Sequence, residues 1–327
     1  MYDVVALGEL LIDFALKGSD EAGYPSFAAN PGGAPTNFLA VLSAFGCKTA
    51  FIGKVGCDTF GRKLADTLEK QGIDIRGLVM AKDVFTTLAF VTIDEKGGRD
   101  FSFARKPGAD MMLRRDELEL SLIDEARVFH FGTLSLTDEP ARSATCAAVD
   151  YARSQGKLIS YDPNLRAPLW GSLDEAREQI LWGLSKADIV KISDNEVDFL
   201  WGLSPEEGLE KILTDFGAKL VYVTCGGEGC IFGNGKVKGH VPALSGVKPV
   251  DTTGAGDIFG GSAMYALLKT GKQPEELELC ELENIAAFAC AAAGLSTERY
   301  GGISSVPALA DVEEKLRIRV KILKTLH

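Results

Sequence analysis

The sequence predicts an α/β fold with a doubly wound, mostly parallel sheet, and three observations carry that prediction. Short apolar segments alternate with segments of helical apolar spacing along most of the 327 residues. That is the pattern of strands crossed over by helices on both faces of one sheet. Glycines stand where the helical spacing stops, as at Gly46 and Gly72, where a left-handed residue closes a helix. The composition is 46% apolar and 25% charged, which excludes disorder, a collagen repeat and a disulfide scaffold.

In chain order, Asp3–Leu7 reads as a short buried strand. Phe14–Asn30 breaks the rhythm, being polar and glycine-containing with no helical period. Ala34–Phe45 spaces Phe38, Val41, Leu42 and Phe45 as a helix, Ala50–Ile52 is a strand, and Phe60–Lys70 is a second helix. Thr86–Ile93 and Arg99–Ala104 read as two strands joined across Asp94-Glu95-Lys96-Gly97-Gly98, a hairpin signal. Residues 14–30 and 85–106 are therefore expected to form a small β-sheet lid over a site, or a dimer interface. Later strands are Val128–Phe131, Leu158–Tyr161, Ile189–Ile192 and Leu220–Thr224, with helical segments between them. Neither a linker rich in Pro, Ser or Gly nor an internal repeat divides the chain. Residues 1–327 are expected to form one domain, consistent with the sizes large α/β units reach.

The net charge of −11 argues against nucleic acid as a partner, because non-specific binding draws its affinity from neutralised phosphates. A single local anion site remains compatible with a negative surface. The basic stretch Lys315–Lys324 reads as a solvated helix face. No apolar run reaches the ~18 residues of a membrane span, and Met-Tyr-Asp leads directly into a strand without a basic leader. Seven cysteines are scattered, with no C-x-x-C pair, so zinc and thioredoxin-type chemistry lack their spacing. The chain reads as soluble and cytoplasmic, its thiols small buried hydrophobes.

The most informative segment is Asp251-Thr252-Thr253-Gly254-Ala255-Gly256-Asp257-Ile258-Phe259-Gly260-Gly261. Its glycines admit positive φ and close approach of a ligand to the backbone. The apolar run Ile258–Leu268 follows as a buried helix, so the amides of residues 254–257 sit at a helix N-terminus, where an anion is favoured. Asp257 in that first turn is either a cap or a base. No G-x-x-x-x-G-K-[ST] occurs, which excludes a P-loop. Gly8 leads into Glu-Leu-Leu instead of a glycine-rich turn, which argues against a dinucleotide-binding Rossmann fold.

These eleven residues resemble the second signature of the ribokinase-like carbohydrate kinases, the pfkB family. Gly32-Gly33-Ala34-Pro35-Thr36-Asn37 resembles the first signature. Gly8–Asp13, Gly53–Gly61 and Thr224–Gly229 match further family segments in family order, so the resemblance runs from about residue 3 to residue 307. It implies a ribokinase-like fold and an ATP-dependent sugar kinase in which Asp257 is the catalytic base. The amides of Gly254, Ala255 and Gly256 would stabilise the transferring phosphoryl group. On the sugar side it implies Asp13, Gly33, Asn37, Arg105, Asn164 and Arg166; on the ATP side Lys191, Glu196, Thr224, Gly226 and Gly229, with Gly254 and Gly256 again.

The family's Asn-x-x-Glu motif is matched at Glu196, which would organise Mg²⁺ through water, but begins with Ser193 in place of Asn. Mg²⁺ itself would be held mainly by ATP and waters. Asp251 and Thr253, with Ser296, Arg299, Gly301 and Ser305, resemble a loop pair that binds K⁺. Of the three histidines, His130 lies between aromatics at the end of a strand, where burial explains it better than catalysis. None is paired with a Ser or Cys motif, so a hydrolase triad has no support.

Gly8–Asp13, Phe129–Leu136 and Asp162–Arg166 with Trp170 resemble the fructokinase branch. The expected reaction is therefore phosphorylation of the C6 hydroxyl of fructose to fructose 6-phosphate. A second substrate is 2-keto-3-deoxygluconate, whose carboxylate would pair with Arg105 and Arg166. A different class of protein, a non-catalytic sugar or nucleotide sensor, would lack the base, and Asp257 is present. A homodimer through the lid is also expected.

Overall fold

A computed structural model describes residues 1–93 and 99–325. The first elements are β1 (Tyr2–Leu7), β2 (Leu11–Ser19), β3 (Pro25–Gly32), α1 (Ala34–Ala44), β4 (Thr49–Gly56), α2 (Thr59–Lys70) and β5 (Ile73–Ala81). Asp58 starts α2 by accepting the Gly61 N–H at 2.8 Å. Then come β6 (Leu88–Ile93), β7 (Arg99–Ala104), α3 (Leu120–Asp124), β8 (Ala126–Gly132), α4 (Ala141–Ser154), β9 (Leu158–Asp162) and α5 (Leu173–Lys186). The expected turn at 94–98 lies outside the described residues. The remaining elements are β10 (Ile189–Ser193), α6 (Asp194–Trp201), α7 (Pro205–Asp215), β11 (Leu220–Thr224), β12 (Cys230–Gly233), β13 (Lys238–Val241), α8 (Ala255–Thr270), α9 (Leu279–Ser296) and α10 (Leu309–Thr325).

Nine strands form one sheet in the order β13-β12-β11-β10-β9-β8-β1-β4-β5. From β5 to β11 neighbours pair in parallel, and β11-β12-β13 close the edge antiparallel. Because strand side chains alternate faces, β1 sends Val4 and Ala6 into one core and Val5 and Leu7 into another. The first core is covered by α1, α2, α8 and α9, through Phe38, Leu64, Phe259 and Leu282. The second is covered by α3 to α7, through Leu122, Ala148, Ile180, Val197 and Leu209. The sheet is doubly wound, as the alternation of segments predicts.

Helix α9 has the length and mean hydropathy of a membrane span. It is a core helix here, burying Leu282, Ile285, Ala286 and Ala289. The seven cysteines are free thiols.

A second sheet of four strands has the order β3-β2-β6-β7. The polar stretch after Leu11 is thus a hairpin, with Asp13 opposite Asn30 and Phe14 opposite Ala29. Its inner face sits on α2: Phe14 stacks on Phe90 with centroids 5.1 Å apart and meets Phe60 edge-on at 5.6 Å. Asp58 also accepts the Thr86 N–H at 2.8 Å, so the residue that begins α2 pins the base of the small sheet. Three phenylalanines and one carboxylate fix where that sheet hangs over the main one.

Candidate active site

The C-terminal ends of the parallel strands converge on a cavity of about 510 Å³, the place where open α/β sheets bind ligands. Its wall takes Asp13 from β2, Gly33 and Asn37 from the start of α1, and Phe103 from β7. Asn164 and Arg166 enter after β9, Lys191 from β10, and Gly254, Gly256 and Asp257 from the start of α8. A second, apolar cavity of about 280 Å³ is lined by Thr224, Gly226, Gly229, Leu244, Val247 and Phe259 among others. Thr252 and Gly256 belong to both, so the two cavities meet at the N-terminus of α8.

That N-terminus is left open by its own sequence. Gly254 is the N-cap, at φ 75°, and supplies no side chain to accept from the helix. The Ala255 N–H donates to the Thr252 carbonyl at 3.3 Å, so the amides of Gly256 and Asp257 are the donor set at the junction of the cavities, suited to an anion. Asp257 sits in this first turn and accepts from Asn37 Nδ2 at 2.8 Å. Burial raises its pKa, while the Asn37 bond, Lys191 and Arg166 pull it down. Burial prevails, so the carboxyl stands above its ordinary range beside an anion hole, the disposition of a general base.

Around it lies a charged cluster. Lys191 Nζ contacts Asp162 Oδ2 at 3.0 Å. Burial alone would lower the Lys191 pKa, but Asp162, Glu196 and Asp257 outweigh it and keep the ammonium charged. Burial pushes Asp13 up to about 7, with Asp257 and Asp251 adding to the rise and Arg166 opposing it. Asn164 reaches the cavity wall by adopting φ 47°, a left-handed value rare outside glycine. Gly33 stands at φ 121°, and a Cβ there would press into the Glu9 carbonyl oxygen. Gly33→Ala is expected to lower the melting temperature and weaken sugar binding together. An unchanged melting temperature would show that the backbone yields at this point.

Glu196 stands one layer behind the cavity. Its Oε2 accepts from Ser193 N–H and hydroxyl at 2.8 Å each, closing a capping box on α6, and its Oε1 accepts the Leu165 N–H at 2.7 Å. It thereby positions the segment that carries Asn164 and Arg166. Ser193, where the family motif has Asn, is the cap residue of that box.

Arg105 is not brought to the cavity. Its guanidinium is buried, with Nε at 2.8 Å from Asp110 Oδ2, Nη1 at 2.9 Å from Thr137 Oγ1 and Nη2 at 2.8 Å from the Leu134 carbonyl. The sugar contact expected of it is corrected accordingly: the fork is spent on a buried ion pair behind Leu134. His130 is buried as expected, stacked on Phe38 at 3.8 Å between centroids, with Nδ1 3.0 Å from Ser160 Oγ. Burial, then Lys191, hold its pKa down to about 3, so it stays neutral.

Asp251 ties the other loop pair together, accepting the Thr253 N–H at 2.8 Å and the Gly301 N–H at 2.9 Å. Ser296 and Ser305 donate to the carbonyls of Ala293 and Gly302, which leaves both hydroxyl oxygens able to accept. The Arg299 side chain reaches Val306 O at 3.4 Å and Asp311, away from this loop.

Glu9 is a wall residue that the sequence reading passed over. It is 2% exposed and accepts the Ala34 N–H at 2.7 Å, serving α1, whose Gly33 cap has no side chain. A lone Glu between Leu7 and Leu10 is the signal that marks a buried carboxyl there. Burial raises Glu9 to about 8, above its value in an unfolded chain, so its contribution to stability declines as pH climbs toward 8. Glu9→Gln keeps the acceptor for Ala34. It is expected to raise the melting temperature above about pH 8 and change it little near pH 5; equal shifts at both would place the charge of Glu9 outside the balance. Phe103, Leu134 and Thr252 line the wall too; the last two fall inside family-like segments, but only the fold brings them to the cavity.

The chain matches the pfkB family of carbohydrate kinases over residues 1–309. It is 44% identical over 312 residues to fructokinase-1 of Zea mays, covering 94% of this chain and 96% of that protein. Probable fructokinase-5 of Arabidopsis thaliana is 41% identical over 321 residues, covering 97% and 98%. Among solved structures, fructokinase from Xylella fastidiosa with bound ATP superposes with a TM-score of 0.89 at 27% identity, covering 98% and 100% of the two chains. Fructokinase from Vibrio cholerae O395 with fructose, ADP and calcium ion bound gives 0.86 at 31% identity, covering 96% and 99%.

Proposed function

The chain belongs to the pfkB family of carbohydrate kinases, and we infer that it is a fructokinase, transferring a phosphoryl group from ATP to fructose. The observation that carries the reading is Asp257 beside the open amides of α8, at the junction of a polar and an apolar cavity. Fructose occupies the polar cavity, with Asp13, Asn164 and Arg166 as hydrogen-bond partners for its hydroxyls. The adenine ring lies in the apolar cavity, with the Thr224–Gly229 turn along the ribose and phosphates.

Asp257 accepts the proton of the C6 hydroxyl as that oxygen forms its bond to the γ-phosphorus. The bond from the γ-phosphorus to its bridging oxygen breaks, and ADP leaves with that oxygen. The amides of Gly256 and Asp257 and the Lys191 ammonium offset charge on the transferring group, and fixed donors cost no reorganisation at that moment. Mg²⁺ carried by ATP supplies further neutralisation of the phosphates. The residues fit it: Asp162 Oδ1 is buried with no partner among the described residues, and Glu196 lies close enough to raise the Asp162 pKa. The loop pair joined by Asp251 fits K⁺, through oxygens of Thr253, Ser296, Arg299, Gly301 and Ser305.

Two assignments are finer. A homodimer through the small sheet is supported by exposed Leu16, Tyr24 and Phe85 on it and at its base; sedimentation equilibrium tests it. A reducing, cytoplasmic setting is supported by the free thiols. The reaction itself is tested by ³¹P and ¹³C NMR of the product from fructose and Mg-ATP. Phosphorus coupling at C6 is expected, and coupling at C1 would overturn the regiochemistry. Omission of K⁺ in the same assay is expected to lower the rate.

A further inference from the structure

Asn37 is wedged between two segments distant from it in sequence, the start of α8 and the loop at Gly302. Its Nδ2 donates to Asp257 Oδ2 at 2.8 Å. A carboxylate oxygen only accepts, so this contact fixes which end of the amide is nitrogen. The opposite end, Oδ1, is buried with no partner among the described residues. It abuts Gly302: a Cβ built there would press into Oδ1 and lie 2.5 Å from Asn37 Cγ and Nδ2. Gly302 has φ −83° and ψ −82°, a negative φ with a ψ just beyond the right-handed helical range. Its φ does not call for glycine, whereas the seat of Asn37 leaves no room for a Cβ. Gly254, which caps α8, borders the same amide, its own Cβ position 3.3 Å from Nδ2. Asn37 reaches the cavity wall, and Gly302 is not among the residues that line it.

We propose that Gly302 is a positioning residue for catalysis, acting through Asn37 to hold the Asp257 carboxyl in register with the sugar hydroxyl. The inference rests on Asp257 being the base. Gly302 leaves room for the Asn37 amide to lie flat between the two loops, and that placement presents Nδ2 to one oxygen of Asp257. The other oxygen is left for the proton in flight. Any side chain at 302 displaces the amide and breaks the donation. The groups that face Asp257 from neighbouring elements are Lys191, Arg166, Glu196, Asp162 and Asp13. The three atoms nearest a Cβ built at Gly302 all belong to the Asn37 amide, so a side chain at 302 meets Asn37 first, while the Gly302 Cα also lies 3.0 Å from the Cβ position of Gly254.

The test is a double-mutant cycle read as the pH dependence of kcat. Asn37→Ser and Gly302→Ala each remove a charge-assisted donor from Asp257, so each is expected to move the acidic limb upward by about one pH unit. The rate below the limb then falls about ten-fold and recovers at high pH. In the Asn37→Ser background, Gly302→Ala is expected to add nothing, because the smaller side chain leaves nothing to displace. A limb that stays in place in both single variants overturns the proposal, as does an additive double variant. Asn37→Ser tests the donation even where Gly302→Ala impairs folding, and circular dichroism of each variant identifies that case. Asp257→Asn run in parallel separates the two readings: if it keeps wild-type turnover the base assignment fails, and if it is inactive while the limb is unmoved only this proposal fails.

Discussion

Asp257→Asn is expected to lower kcat by roughly 10²–10⁴-fold, the range a general base contributes, while leaving ATP and fructose binding largely intact. Asn is isosteric with Asp, so the α8 start and its amides keep their positions. The lost capacity is acceptance of a proton. Burial holds the Asp257 carboxyl above its ordinary range, so the neutral side chain is easily accommodated in the fold. The variant is expected to melt no lower than the parent. Isothermal titration with fructose and with a non-hydrolysable ATP analogue, beside steady-state kinetics, checks both halves. Retained turnover would remove the base from Asp257.

Arg105→Ala is expected to destabilise the protein by about 3–5 kcal/mol, the cost of stranding a buried charge. The Arg105 and Asp110 side chains are 3% and 2% exposed and 2.8 Å apart. Alanine leaves the Asp110 carboxylate without its cation and unties Thr137 and the Leu134 carbonyl as well. Removing both charges, as in Arg105→Met with Asp110→Leu, is expected to recover much of the loss, because replacing a buried pair by apolar groups is often close to neutral. Urea denaturation measures both changes. The sugar KM should move only through Leu134, which lines the cavity. A large KM effect without loss of stability would return Arg105 to the sugar site.

The main sheet was legible because buried parallel strands leave continuous apolar runs, and Val128–Phe131, Ile189–Ile192 and Leu220–Thr224 all fall in it. Helix ends were legible where chemistry marks them, as at Gly46 after α1 and Gly72 after α2, both at positive φ. The first hairpin was harder. Leu11–Ser19 and Pro25–Gly32 are buried toward their bases and exposed toward the turn that joins them, so the alternation of faces does not persist along either strand. The short strands Cys230–Gly233 and Lys238–Val241 at the antiparallel end of the sheet were missed for want of length.

The site divides along the same line. The amides beside Asp257 were readable because glycines before an apolar helix are a local signal, whereas Asp257 as a base was implied only by the family resemblance, its position alone leaving cap or base open. Asn37 was readable only as a contact to sugar, since its bond to Asp257 spans 220 residues. Arg105 shows the opposite failure. A cation at the end of a small-sheet strand suits an anionic ligand, and no motif announces that Asp110, five residues on, takes it first.

The central claim is that this cleft transfers phosphate from ATP to fructose. Its most direct test is a coupled ADP-release assay with Mg-ATP against fructose, 2-keto-3-deoxygluconate, ribose, glucose and adenosine. The expected result is the highest kcat/KM for fructose, lost in Asp257→Asn. An equal or higher kcat/KM for the keto acid or ribose would contradict the substrate, and no turnover of any sugar by an ATP-binding protein would contradict the enzyme.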